Sequence, residues 1–382
     1  MKYRTSQTSK GTGDRILTEY RRTARTCKRV VLMPAVGLAC RCRRVALPAL
    51  LLLAALGAAH AADPPDDDDP WTPCETATIE RADLKAAFRD NSHSPRVLSG
   101  IDALFNRHAA EFDAFDPDSP GASAGLNFEH IISGHASPDN LFAPRHHRYT
   151  LQRSPREAAV RLVRDASDDP WRMQSTLTYT LGERNSVDLD FRCKAHDPRL
   201  FGSREYAVLF FANYMNDVEQ VALHFLGQDG PHDREHWIAA DAPAGHADYN
   251  GGGTYRAAGA PALEYDAEHN FKLNLWSYDK PRFVRPFYFG RAAHGMTLIM
   301  MFDKSYSPRD EIRFSLFKFK VPKFPRPAFD WQYVIHHVRP DEQYGFRARL
   351  VWKPFVSAED CQQEYDRWSR QLPAVKPTKE SL

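Results

Sequence analysis

From Arg148 to Phe355 the chain is a succession of short segments in which apolar and polar side chains take turns. Val187, Leu189, Phe191 and Cys193 alternate with Asp188, Asp190 and Arg192, and Phe346, Ala348, Leu350 and Trp352 alternate with Arg347, Arg349 and Val351. Side chains along a strand point to opposite faces in turn, so each segment offers one face to a core and one wet face carrying Arg, Asp and His. The pattern predicts hairpins pairing 148–152 with 159–163 and 175–181 with 187–193, each closed by a four-residue turn. Further strands are expected at 206–211, 221–226, 271–276, 296–302, 312–320, 331–335 and 345–352. More than ten strands in about 210 residues exceed what one open twisted sheet carries. The expected fold class is therefore all-β, with two large antiparallel sheets packed face to face.

Helices are expected at both ends of this region. Ile79, Leu84 and Phe88 recur near helical spacing and predict a helical N-terminal segment over 75–91. Near the C-terminus, Ser357 can cap a helix and Asp360 holds the capping-box position. There Cys361, Tyr365, Trp368 and Leu372 form an apolar stripe that should dock on a sheet. Between strands, residues 228–259 read as a long loop rich in Gly, Asp and His, of a length usually tied to function.

The first 61 residues stand apart. Arg41, Arg43 and Arg44 precede an apolar run at 45–57, and Ala59-His60-Ala61 has the small-x-small pattern of a cleavage site. Together they read as a secretory signal too short to span a bilayer permanently, with Met33 as the expected true start. Residues 62–75 read as a disordered acidic spacer (DPPDDDDP), 76–372 as a single domain and 373–382 as a disordered tail. Residues 1–61 hold 12 Lys+Arg and 2 Asp+Glu of the chain's 51 and 49, which leaves 39 against 47, a net of about −8 for the remainder. With no basic stripe left, nucleic acid is not an expected partner, and no later apolar run is long enough to cross a membrane. The expected location is secreted or periplasmic.

Of six cysteines, Cys74, Cys193 and Cys361 lie beyond the leader. Cys193 alternates with core residues and reads as a small buried hydrophobe. Cys74 and Cys361 lie near the two ends of the domain, where chain ends often meet, so a disulfide between them is open in an oxidising compartment.

Three clusters concentrate polar chemistry. The first, 127–147, holds Glu129, His130, His135, Asn140, Arg145, His146 and His147, where a His beside a Glu can move protons at neutral pH. Adjacent Glu129 and His130 should point to opposite faces of a regular strand. The second, Asn213-Tyr214 after an apolar strand, offers an amide, a hydroxyl and a ring to sugar hydroxyls and sugar faces. The third, 276–294, interleaves rings with arginines, of which Trp276, Tyr278 and Arg291 are expected to line a cleft and to suit a sugar bearing carboxylates. Metal binding has weaker support. His232 and His236 lack a third zinc ligand at metal-site spacing, calcium is conceivable only at Asp233, Asp241 and Asp248, and no cofactor is otherwise expected.

Two segments carry a family resemblance. Residues 171–192 (WRMQSTLTYTLGERNSVDLDFR) resemble the central hairpin of the galactose mutarotase-like superfamily, and 339–355 (RPDEQYGFRARLVWKPF) are similar to its closing turn and last strand. The resemblance covers about 100–355 through strand pattern with few fixed letters. It implies a β-supersandwich with a sugar-sized cleft on a concave face. Aldose epimerases, polysaccharide lyases and non-catalytic periplasmic glucan proteins share that fold. The chain departs from the mutarotases in 331–340 (WQYVIHHVRP), which holds His336 and His337 but no Glu where they place a base. The expectation is thus an exported carbohydrate-binding protein. If it is a lyase, epimerase or hydrolase, His130 or His146 would do the acid/base work and Arg145 or Arg291 would neutralise substrate charge. A non-catalytic glycan scaffold and a metal-dependent hydrolase centred on His232 and His236 are the alternatives.

Overall fold

The alternation along the chain is realised as two antiparallel sheets. The computed structural model describes residues 71–91, 98–116, 125–137, 139–240, 251–264, 280–303, 305–306, 308–319 and 326–372. Contacts divide the chain between Ala62 and Asp63, and every described residue belongs to the second unit, Asp63–Leu382. Among the described residues, one sheet has eleven strands. In spatial order these are β1 (Thr72–Cys74), β6 (Thr150–Arg153), β7 (Ala159–Arg164), β8 (Met173–Gly182), β9 (Ser186–Ala195), β19 (Gln343–Pro354), β16 (Met296–Phe302), β15 (Phe287–Ala292), β11 (Leu223–Gln228) and β12 (His236–Ala240), with β14 (Arg282–Phe283) also on β11. The other has eight, in the order β13 (Gly251–Tyr255), β17 (Glu311–Phe319), β18 (Arg326–Ile335), β10 (Ala207–Tyr214), β5 (Gly125–Ile132), β4 (Gly100–Asn106), β3 (Leu84–Arg89) and β2 (Thr76–Arg81).

The apolar halves of these strands meet between the sheets. Tyr179, Leu189, Phe191, Phe346 and Leu350 from the larger sheet join one core with Phe128, Phe211, Phe314, Trp331 and Tyr333 from the smaller. Phe211 stacks on Trp331 with centroids 5.2 Å apart, and Phe191 meets the edge of Phe211 at 5.1 Å. Each fully buried Phe or Leu here contributes about 1.5–3 kcal/mol of transfer free energy. The sheets also come very close at Gly290, where a Cβ would lie 2.1 Å from the Phe329 ring, so only glycine fits.

Both expected hairpins form, β6 with β7 and β8 with β9. The C-terminal helix α2 (Ala358–Ser369) forms as well, with the Ser357 hydroxyl accepting from the Asp360 N–H at 3.2 Å. A shorter helix, α1 (Ala143–His146), precedes it in the chain. The stripe on α2 packs Cys361, Tyr365, Trp368 and Leu372 onto Phe287, Phe289, Met301 and Val351 on the outer face of the larger sheet.

One expectation fails, and one open pairing is resolved. Residues 75–91 form no helix but the hairpin β2–β3, with Ala77 and Ile79 on one strand and Leu84, Ala86 and Phe88 on the other buried at period two. The turn between them, with Ala82 at φ 52°, offsets the two apolar series so that their spacing imitates a helix. Cys74 and Cys361 do not pair: Cys74 lies on the edge strand β1, Cys361 lies on α2 facing the larger sheet, and both are free thiols, as is Cys193. The long loop expected at 228–259 contains the strands β12 and β13. The strand expected at 271–276 lies outside the described residues, as do the leader, the spacer up to 70 and the tail from 373.

Candidate functional site on the outer face of the smaller sheet

The face of the eight-stranded sheet turned away from the core forms a grid fixed by strand register. Across β17, β18, β10 and β5, one row reads Arg313, Gln332, Phe210 and His130. On one side Glu311, Val334, Val208 and Ile132 form a second row. On the other side Ser315 faces Asp330, and Ala212 faces Asn127. Beyond them come Phe317, Ala328 and Tyr214. A sheet with one solvated face would place such polar side chains in water; here Arg313, Gln332, Asp330 and His130 are each at most 2 % exposed.

Glu129 and His130 lie on this same face, against the expectation that neighbours diverge. The register of β5 against β10 shifts here: Phe210 faces His130 and Phe211 faces Phe128, so Glu129 is an extra residue. The bulge turns both side chains outward. Glu129 Oε1 accepts from the Tyr214 hydroxyl at 2.7 Å and from Arg145 at 3.1 Å, while Oε2 lies 3.7 Å from His130 Nδ1. Burial pushes the Glu129 carboxyl up, but His130, Arg145 and Tyr214 outweigh it and hold it below the usual carboxylate range. The His130 ring stacks on Phe210 at 4.3 Å and meets the edge of Phe142, just before α1.

Asp330 behaves in the opposite way. Burial pushes its carboxyl well above the ordinary value, more than the Asn213 N–H donated to Oδ1 at 2.8 Å lowers it, and the negative charge of Glu129 raises it further. One sheet face thus holds two carboxyls whose surroundings push them in opposite directions, Glu129 down and Asp330 up. Three further polar groups on the face, Gln332 (both amide atoms), Asn127 (Oδ1) and Ser315 (Oγ), have no hydrogen-bond partner among the described residues. Buried polar atoms left in that state cost about 1–3 kcal/mol each, which is why native proteins seldom keep them without a use.

Five of the eight residues singled out from the sequence lie in or beside this grid. His130, Arg145 and Tyr214 converge on Glu129. His146 is exposed at the end of α1, its ring 6.1 Å from Phe142, and burial, then Arg145 and His147, lowers its pKa. Asn213 lies on the core-facing side of β10 in line with Phe211 and Met215, so its backbone rather than its amide serves the face. Arg291 lies elsewhere, on the far side of the larger sheet, ion-paired with Glu219 and 4.7 Å from the Phe355 ring. Trp276 and Tyr278 lie outside the described residues.

Arg145 pairs with Glu129 through Nη1, while its Nε and Nη2 have no hydrogen-bond partner among the described residues. His232 and His236 are both exposed, His236 at the start of β12, and among the described residues no group of three or more His, Cys, Asp or Glu is arranged to hold a metal. Asp241 and Asp248 lie outside the described residues. The sequence reading missed Asp330, Gln332, Arg313 and Glu311. The alternation of Asp330 and Gln332 with Phe329, Trp331 and Tyr333 was the available signal.

No protein-family model and no curated protein matches the chain. Among solved structures, a GalM/aldose epimerase homologue from C. elegans matches 74% of this chain and 100% of its own at 13% identity and a TM-score of 0.38. GH36 alpha-galactosidase AgaA from Geobacillus stearothermophilus matches 73% of this chain at 10% identity and a TM-score of 0.37. The galactosidase domain of an alpha-galactosidase-sucrose kinase matches 73% at 12% identity and a TM-score of 0.34. The chain spans 40% of the length of each of these two galactosidase chains. Likeness of this order carries no inference about activity.

Proposed function

We propose that the protein binds carbohydrate on the outer face of its eight-stranded sheet. The observation that carries the reading is the Gln332 amide, set between Arg313 and Phe210 in one cross-strand row, buried and without a partner among the described residues. Planar amides and hydroxyls that can both donate and accept suit vicinal sugar hydroxyls, and the nearby rings of Phe210 and Tyr214 suit apolar sugar faces. The reading includes export, with the leader at 1–61 removed before Ala62.

A carbohydrate-active enzyme is the second reading, whether lyase, epimerase or hydrolase. It is favoured by the opposite directions in which the carboxyls of Glu129 and Asp330 are pushed on one face, since environments that split two carboxyls in this way sort an acid from a base. His130 and the exposed His146 would then assist proton transfer. An array of neutral and acidic oligosaccharides tests the binding reading: retention of a defined subset is expected, and no retention of any glycan overturns it. Polarimetry on aldoses and ultraviolet detection of unsaturated products from uronate polymers separate enzyme from binder. Silence in both with glycan binding intact leaves binding alone.

A further inference from the structure

The stretch that leads into and out of α1 is pinned along its backbone. Trp171 Nε1 donates to the Asn140 carbonyl at 2.8 Å, and the Ile131 N–H donates to the Leu141 carbonyl at 3.0 Å. Asn91, just after β3, donates through Nδ2 to the carbonyls of Arg145 and His147, and its Oδ1 accepts the Tyr149 N–H at 2.9 Å. A backbone fixed in this way holds the root of the Arg145 side chain in place before any ligand arrives.

Only part of that side chain is used. Nη1 pairs with Glu129, and the guanidinium carbon lies 5.7 Å from the centre of the Phe142 ring. Nε and Nη2 are buried with no hydrogen-bond partner among the described residues. These two N–H groups form one edge of the planar guanidinium and point the same way. Elsewhere the chain shows what that edge takes. Arg349 grips Asp188 with Nε at 2.5 Å and Nη2 at 2.7 Å, and Arg192 on Asp190 and Arg199 on Asp197 use the same two nitrogens. Arg164 also leaves two nitrogens unpaired, but these are Nε and Nη1, which diverge, and its side chain is 1% exposed against 13% for Arg145.

The surroundings favour negative charge. His146 and Arg148 are exposed and His147 is half-buried. Burial, then the charges of Arg145 and His147, lower the His146 pKa, as a positive field does. Glu129 divides its negative charge between Arg145, His130 and the Tyr214 hydroxyl. We propose that the Nε–Nη2 edge of Arg145, in the basic stretch 145–148, binds an oxyanion by donating to two of its oxygens in parallel. The ligand chemistry is a carboxylate, phosphate or sulfate group. A monatomic anion offers the pair a single acceptor, so chloride should bind more weakly. The site is distinct from the Gln332 row and stands whether or not sugars bind there.

The test is NMR on the full chain, with the His146 ring as reporter and His146→Gln to assign its signals. Acetate, phosphate and sulfate are titrated in turn against chloride at equal ionic strength. At least one oxyanion should move the His146 signals saturably and raise the pKa of the ring, at concentrations where chloride does neither. A response to acetate alone assigns a carboxylate ligand, and a response to phosphate or sulfate a tetrahedral one. Arg145→Lys keeps a cation beside Glu129 but lacks the two-point edge, so it should weaken binding about tenfold or more. If that variant does not fold, the wild-type comparison with chloride decides alone. No saturable response, a response that chloride matches, or equal affinity in folded Arg145→Lys overturns the inference. Loss of glycan retention on the array removes the sheet-face reading and leaves this result untouched.

Discussion

The Tyr214 hydroxyl donates to Glu129 Oε1 across 2.7 Å, joining β10 to the bulge of β5 on a face where neither side chain is appreciably exposed. Arg145 completes the grip at 3.1 Å from the segment that carries α1. Glu129 therefore ties two strands and a helix together as an ionised, dry carboxylate.

Removing one partner at a time should show how that carboxylate is held. Tyr214→Phe should cost about 1–3 kcal/mol, the desolvation of an acceptor losing its donor. Arg145→Met should cost about 3–5 kcal/mol, because it leaves a buried charge under-compensated. Urea denaturation of both single variants and the double should give a non-additive sum, since both act on Glu129. Additivity would show that the two contacts are independent.

Stability should depend on pH in two opposed ways at Glu311 and its neighbour Asp310. Glu311 is held at about 2 against an ordinary 4.5: burial raises it, but His336, Arg313 and Arg256 prevail. Its stabilisation is complete above the unfolded value and lost as pH falls toward 2. Asp310 is raised from 3.8 to about 6 by burial, so the native state holds its proton more tightly and stability falls as pH rises through the window from about 4 to 6. Asp310→Asn should raise stability by about 2–3 kcal/mol above pH 6 and change little near pH 4, read by thermal melts across that range.

The close approach of the sheets at Gly290 sets a steric test. Gly290→Ala should destabilise by about 1–3 kcal/mol or more, because the Phe329 ring belongs to the packed core and cannot yield by rotating outward. A melting temperature equal to the wild type would contradict the packing described.

Helix α2 should prove a separable element of stability. Ser357→Ala removes its N-cap at about 1 kcal/mol. Trp368→Ala removes a buried ring from the larger sheet's outer face at about 3–5 kcal/mol. Hydrogen exchange in both variants should rise first along α2 and the strands beneath it.

The sequence was most legible where periodicity and burial agree. The β8–β9 hairpin repeats at period two over ten residues on each strand, with one face in the core. The β2–β3 hairpin was hidden because a turn between two short strands shifts the apolar series. Glu129 and His130 share a face through a bulge, which belongs to the pairing of two strands and cannot be read from one. Asp330 and Gln332 escaped notice because β18 is buried on both faces, so its polar residues carry the same alternation as a solvated strand. Arg291 was drawn into the site by its neighbours in sequence, whereas β15 places it on the other sheet.

The affinity ratio between the wild type and Gln332→Leu, measured by calorimetry on the oligosaccharide that the array selects, tests the sheet-face reading most directly. Replacing an unpartnered buried amide by an apolar group of similar shape should leave the melting temperature unchanged or higher. The account predicts binding weakened by about tenfold or more, or about 1.4 kcal/mol, in a protein no less stable. Equal affinity in the two proteins would contradict it.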